Sequence, residues 1–185
     1  LLDGGANDGL LYVFITDPAS GTGGTPLTST GGGYLGTVPA GFNVVGVGDA
    51  DGDGNADIYV QDASGLLWVY ITAADGISAN PGLSGSPVTV PAGWTVVSIG
   101  GYDGDGLSDV VVQNDATGQL YTWITAAGGI TFNTGASGSV AGVPAGWSWS
   151  GGGDFTSGTL SSDLTVQKNP GGAPPVEDGL VYVYV

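Results

Sequence analysis

Short apolar segments separated by Gly, Asp, Asn and Pro recur along the whole chain. The clearest ones cover residues 66–71 and 119–124, and similar segments cover 9–15 and 180–185. They are rich in Val, Ile, Tyr and Trp, and no apolar period of 3.6 residues appears over a useful window. Segments of this length and composition, bounded by turn residues, predict β-strands. The sequence therefore predicts an all-β protein.

The strands belong to an internal repeat. The segment Val-Pro-Ala-Gly-aromatic occurs at residues 38–42, 90–94 and 143–147, with offsets of 52 and 53 residues. Each copy opens the same series: a Gly-containing apolar strand, an acidic loop, a β-branched strand that ends in Gln, a turn and a second apolar strand. We therefore interpret residues 1–185 as a single repeat domain of about 3.6 copies of about 52 residues. Its parts are a partial repeat, two complete repeats and a second partial repeat, at residues 1–38, 39–90, 91–143 and 144–185.

In the second apolar strand of each repeat, rings alternate with aliphatic side chains. One ring column contains Tyr12, Trp68, Tyr121 and Tyr182, and the column two residues later contains Phe14, Tyr70, Trp123 and Tyr184. Residues two apart share a strand face, so one face is aromatic, the other aliphatic, and we expect the rings to be buried between sheets. Small sheets covered on both sides and repeated at regular spacing predict β-propeller blades of four antiparallel strands. A two-sheet sandwich is the alternative, but it does not explain the repeat.

The acidic loop of the first complete repeat carries the sharpest motif. Residues 49–57 read Asp-Ala-Asp-Gly-Asp-Gly-Asn-Ala-Asp. Carboxylates at alternate positions, with Gly between them, allow a tight loop to fold its oxygens around one hard cation. The twelfth position is Val60 instead of the Glu of an EF-hand, so an EF-hand is rejected. The candidate metal ligands of this loop are Asp49, Asp51, Asp53, Asn55 and Asp57.

The next repeat places a similar loop at residues 101–109. Gly101 replaces the first carboxylate, and the candidate ligands are Asp103, Asp105, Leu107 and Asp109. Leu107 stands where Asn55 stands in the first loop, so the backbone carbonyl is the expected ligand at this position. The third copy keeps Asp154 and Asp163 but has one extra residue, which leaves calcium binding there open. Recurrence at one repeat position favours metal loops over plain solvated turns.

The amino-acid composition excludes several classes of partner and of catalytic or metal site. The formal net charge is −16, and Lys168 is the only basic residue, so nucleic acid is not an expected partner. The chain lacks His, Cys and Arg, which excludes a Ser-His-Asp triad, a thiol nucleophile, an ordinary zinc site and a guanidinium clamp. Oxygen ligands remain, and these suit calcium or magnesium. No apolar run approaches the ~20 residues of a membrane helix, so membrane insertion is not expected.

The acidic loop followed by a β-branched strand, with Val-Pro-Ala-Gly-aromatic between copies, resembles the FG-GAP (VCBS-type) repeat. This family includes the propellers of integrin alpha subunits and propeller lectins. The resemblance covers essentially the whole chain. It implies that each loop joins the first two strands of a blade and binds Ca²⁺ through the aspartates named above.

Two functions follow as expectations, and neither is enzymatic. The first is a secreted or cell-surface, calcium-binding scaffold or adhesion module, with other protein chains or copies of itself as partners. The alternative is a glycan-binding lectin with pockets between blades lined by Trp and Tyr.

The first repeat lacks its opening strand and the last lacks its closing strand, so we expect the chain to associate and not to form a closed monomer.

Overall fold

The computed structural model describes residues 9–16, 29–140, 147–153, 155, 161–168 and 181–184. Every regular element among these residues is a β-strand, which confirms the all-β prediction. Within this part of the chain, no helix has the length and apolar character needed to cross a membrane. The strands are β1 (Leu10–Thr16), β2 (Ser29–Thr37), β3 (Phe42–Gly48), β4 (Asp57–Asp62), β5 (Leu66–Tyr70), β6 (Gly85–Thr89), β7 (Trp94–Gly100), β8 (Asp109–Asn114), β9 (Leu120–Trp123), β10 (Gly138–Ser139), β11 (Trp147–Gly153), β12 (Asp163–Lys168) and β13 (Val181–Tyr184).

These strands form four antiparallel sheets, each of which uses strands that are consecutive along the chain. We name them sheet 1 (β1–β2), sheet 2 (β3–β6), sheet 3 (β7–β10) and sheet 4 (β11–β13). Consecutive antiparallel pairing needs only short connections. No sheet of the described residues closes on itself.

The opening strands of sheets 2, 3 and 4 share a β-bulge at the same repeat position. It lies between Val44 and Gly46 in β3, between Val96 and Ser98 in β7, and between Trp149 and Gly151 in β11. A bulge increases the local twist of a strand. The backbone of β3 also comes so close to β7 that a Cβ at Gly46 would overlap the side chain of Ile99. The opening strands of neighbouring sheets therefore lie side by side.

The sheets stack with a constant polarity. The face of sheet 2 that carries Leu67 and Val69 packs against the face of sheet 3 that carries Val110, Tyr121 and Trp123. The opposite face of sheet 3 packs in turn against sheet 4, in a core of Val111, Leu120, Leu164 and Val166. In both interfaces the aliphatic face of one sheet thus covers the aromatic face of the next.

The expectation that the ring columns are buried is only partly met. Leu67, Val69 and Leu120 on the aliphatic faces are completely buried. The rings at positions 68, 70, 121 and 123 are half-buried. Tyr121 and Trp123 lie at the side of the interface between sheets 2 and 3, whose buried centre contains Val110 and Val112. Tyr12 and Phe14 in sheet 1 are 59% and 72% exposed, since no described segment covers that face. Tyr182 and Tyr184 lie in β13, whose side chains are outside the described residues.

Candidate metal centre

The first acidic loop connects β3 to β4 as a tight, irregular turn. Gly52 and Gly54 have φ angles of 83° and 90°, a left-handed conformation that other residues adopt at a cost. Their amide N–H groups both point at Asp49: Gly52 donates to Oδ1 at 2.7 Å and Gly54 to Oδ2 at 2.8 Å. The two glycines therefore let the loop fold around the Asp49 carboxylate.

This fold brings three of the predicted ligands together. Asp49, Asp51 and Asp57 each present a carboxylate oxygen, and these oxygens lie within 4.8 Å of one another. Asp53 and Asn55 are turned toward each other instead, with Asn55 donating its backbone N–H and its side-chain Nδ2 to the Asp53 carboxylate at 2.7 and 3.0 Å. Three carboxylates this close repel one another unless protons or a cation neutralise them. An oxygen-only donor set of this kind suits Ca²⁺ or Mg²⁺.

Asp57 also has a structural role that the motif does not reveal. It is completely buried, and its Oδ2 accepts the amide N–H of Ala50 at 2.7 Å while its Oδ1 accepts that of Thr72 at 2.8 Å. Its carboxylate thereby ties the acidic loop to the segment that follows β5. Oδ1 also accepts the Thr72 hydroxyl at 3.3 Å. Oδ2 accepts the single amide of Ala50 and so keeps a lone pair for a metal ion.

The same arrangement recurs one repeat later. Asp109 is completely buried, and its carboxylate accepts the amide N–H groups of Tyr102 at 2.7 Å and Thr125 at 2.8 Å. The partners Thr72 and Thr125 were not among the predicted site residues. A signal for them exists, because both stand in the recurring tripeptide Ile-Thr-Ala, at residues 71–73 and 124–126.

The second loop shares part of the hydrogen-bond pattern of the first. Asp103 accepts the amide of Asp105 at 3.1 Å and Asp105 accepts the amide of Leu107 at 2.8 Å, as Asp51 and Asp53 accept amides in the first loop. Among the described residues, the group at Asp49, Asp51 and Asp57 is the one set of three acidic side chains gathered tightly enough to share an ion. Gly101 explains the difference, since it provides no carboxylate around which this loop can fold.

The third loop is described only in part. Asp163 is buried at the start of β12, and its Oδ2 accepts the amide N–H of Phe155 at 2.8 Å. It therefore occupies the same place as Asp57 and Asp109. The other predicted ligand of this loop, Asp154, lies outside the described residues.

Burial affects the protonation of Asp57 and Asp109. It raises the pKa of Asp109 to about 6; the amides of Thr125 and Tyr102 oppose this rise, and the charges of Asp103 and Asp105 add to it. Burial likewise raises the pKa of Asp57, against the amides of Thr72 and Ala50. Both carboxyls thus pay a desolvation cost when ionised, which a bound cation would offset.

Adjacent repeats are connected at these loops. Ser108, next to the buried Asp109, donates its amide N–H to the carbonyl of Asp49 at 2.6 Å, and Ser162 donates in the same way to Gly101 one repeat later. Tyr59 donates its hydroxyl to the carbonyl of Ser108 at 3.1 Å. Burial and the nearby carboxylates raise the pKa of Tyr59, so it remains a donor.

A second feature is an aromatic cleft on the face of sheet 3 that is turned toward sheet 2, with a volume of about 240 Å³. Its lining is almost entirely apolar and consists of Pro91, Trp94, Val112, Tyr121 and Trp123. Trp94 is the last residue of a Val-Pro-Ala-Gly-aromatic segment, so the repeat motif contributes directly to this cleft.

Comparisons with protein-family models, curated proteins and solved structures found no match to this chain. The assignment of function therefore depends on the geometry described above.

Proposed function

We propose that this chain is a non-catalytic, extracellular scaffold or adhesion module that binds Ca²⁺ and presents or self-assembles a surface. The observation that carries the proposal is the convergence of Asp49, Asp51 and Asp57 in a loop whose motif recurs in the next repeat. Bound calcium would neutralise the densest charge of a chain with a net charge of −16. It would also stiffen the point at which neighbouring repeats are joined through Ser108 and Asp49.

The architecture that best accommodates these features is a set of β-propeller blades of the FG-GAP type. Three observations support it: two four-stranded sheets of consecutive antiparallel strands, constant stacking polarity, and opening strands that lie beside one another. In a propeller the opening strands surround the axis, and the acidic loops leave them at one end. Ligands for the proposed ions are Asp49, Asp51, Asp53 and Asp57 in one loop and Asp103, Asp105 and Asp109 in the other.

Calcium binding is tested by thermal melting in EDTA, in millimolar calcium, and in sodium chloride of equal ionic strength. A ligand that binds only the folded state raises its stability by mass action, so calcium should raise the melting temperature well above sodium. Extracellular calcium modules bind at ~10⁻⁴–10⁻³ M, which calorimetry measures directly.

A pair of variants tests whether calcium binds at the first acidic loop. Asp51→Asn removes one carboxylate of the cluster and should weaken calcium binding to the first loop. Asp115→Asn removes the same charge from an exposed residue whose carboxylate accepts the Thr95 hydroxyl, outside the loops, and should leave binding unchanged. Equal melting of the wild-type protein in EDTA and in calcium would refute the metal site.

The aromatic cleft on sheet 3 supports a second candidate, a glycan-binding lectin. Half-buried Trp94, Tyr121 and Trp123 offer aromatic surface on which the apolar face of a sugar ring can stack. A glycan array tests this candidate, and Trp94→Ala should abolish any signal. An array without binders, measured on protein that responds to calcium, would leave the scaffold and eliminate the lectin.

A further inference from the structure

Sheet 1 presents a continuous aromatic surface to solvent. We name it the ring face: Tyr12, Phe14 and Tyr34, which are 59%, 72% and 50% exposed. The rings form one cluster, with centroids 6.5 Å apart for Tyr12 and Phe14 and 5.8 Å apart for Tyr12 and Tyr34. Soluble proteins rarely leave a contiguous apolar surface of this kind uncovered unless it binds something.

The packing of sheets 2, 3 and 4 indicates which kind of face covers an aromatic face in this protein. Tyr12 and Phe14 occupy the repeat positions of Tyr121 and Trp123, whose face is covered by the aliphatic face of sheet 2. In the core between sheets 3 and 4, the aliphatic face of sheet 3 likewise covers the facing side of sheet 4. The expected partner of the ring face is therefore a face equivalent to the one with which sheet 2 covers sheet 3.

The far end of the stack carries such a face. The side of sheet 4 opposite Leu164 and Val166 contains Thr165 and Gln167, which we name the end face. Thr165 is buried, and its hydroxyl donates to the carbonyl of Gly151 at 2.8 Å. Gln167 is exposed and stands at the position of Gln113, on a face that covers the next sheet. Its polar groups suit the phenolic hydroxyls of the ring face, because a tyrosine at an interface buries its ring while its hydroxyl bonds a polar group.

We propose that the ring face of one copy of this chain docks against the end face of a second copy, so that copies associate head to tail. The inference rests on the proposed scaffold function and identifies its partner surface. The two faces differ and lie on the first and last sheets, so the contact is heterologous and yields a ring if its rotation closes, or a filament if it does not.

Three variants that each add one negative charge test the interface by analytical ultracentrifugation at micromolar concentration in calcium. Phe14→Glu alters the ring face, and Gln167→Glu alters the end face. Leu83→Glu alters a leucine that is 49% exposed in the turn before β6 of sheet 2 and belongs to neither face. Wild type and Leu83→Glu should associate with rising concentration. Phe14→Glu and Gln167→Glu should each weaken association by about tenfold or more, since a central aromatic dominates such contacts.

Mixing the two interface variants distinguishes the possible geometries. Each variant retains one intact face, so an equimolar mixture of Phe14→Glu and Gln167→Glu should give dimers that grow no further. Association that is lost with Phe14→Glu but unaffected by Gln167→Glu would overturn the proposal in favour of a symmetric contact between two ring faces. A wild-type protein that stays monomeric would also overturn it.

The melting experiments distinguish failure of this proposal from failure of the proposed calcium site. A calcium-stabilised monomer would refute the head-to-tail contact and leave the metal site intact. Head-to-tail association without any response to calcium would confirm the contact and refute the metal site.

Discussion

The amide nitrogen of Ser108 lies 2.6 Å from the carbonyl oxygen of Asp49, and this hydrogen bond joins the acidic loops of two successive repeats. Ser108 precedes the buried Asp109, while Asp49 opens the first loop. An ion held at Asp49 would therefore also order the backbone of the next repeat. The loops are thus part of the contact between repeats.

The hydroxyl of Tyr59 supports this junction and can be removed without changing the ring. Tyr59→Phe should lower the free energy of unfolding by about 0.5–1.5 kcal/mol, the usual net value of one hydrogen bond. The loss should stay in this range because the Ser108 carbonyl retains the Thr125 hydroxyl as a donor at 2.7 Å. Urea denaturation measures the change. An unaltered midpoint would show that the 3.1 Å contact contributes nothing.

Asp57→Asn should destabilise the protein even when calcium is absent. Asn has one acceptor oxygen, so either Ala50 or Thr72 would lose its bond and meet an amide NH₂ instead. Hydrogen bonds to a charged group contribute about 1.5–3 kcal/mol, and a loss of that size is expected in EDTA. Asp115→Asn serves as the control and should change unfolding by less than about 0.5 kcal/mol. Equal effects of the two substitutions would contradict the structural role of Asp57.

The interface between sheets predicts a large contrast between two leucines. Leu67 is completely buried against sheet 3, whereas Leu83 is 49% exposed in a turn. Leu67→Ala should cost about 2–5 kcal/mol through lost burial and the cavity that remains. The chemically identical Leu83→Ala should cost well under 1 kcal/mol. Comparable losses in urea denaturation would mean that sheets 2 and 3 do not pack as described.

The raised pKa of Asp109 predicts an unusual pH dependence for the calcium-free protein. Its folded-state pKa of about 6 lies above the ordinary value of 3.8, so the folded protein binds this proton more tightly than the unfolded chain does. Stability in EDTA should therefore fall as pH rises from about 4 to about 6 and level off above that.

Calcium and a variant provide the controls for this pH effect. Calcium should flatten the slope, because a cation stabilises the ionised carboxylate. Asp109→Asn should reduce the slope in EDTA, leaving the smaller part due to Asp57, whose pKa is also raised. Urea midpoints at several pH values between 4 and 7 give the slope directly. Stability that rises with pH throughout this range in EDTA would contradict the assigned shift.

The strands, their turns and the repeat could be predicted from the sequence, because each depends on residues that are close in the chain. Ring and aliphatic side chains alternate with period two in residues 66–71, which is sufficient to define two apolar faces. The Asp and Gly spacing of residues 49–57 likewise contains the information for a tight acidic loop, since the glycines allow the left-handed conformations that it needs.

Only the tertiary structure decided which face is covered and what each aspartate contacts. An alternation of period two shows that a strand has two apolar faces but not which of them is covered. The burial of Leu67 and the exposure of Phe14 therefore depend on which neighbouring sheet is present. Asp57 looks like one more loop carboxylate in the sequence, yet its partner Thr72 lies 15 residues away and reaches it only through the pairing of β4 with β5. The bond from Ser108 to Asp49 spans two repeats and exists because the sheets stack in one direction. Long-range packing, which local patterns do not encode, sets all three.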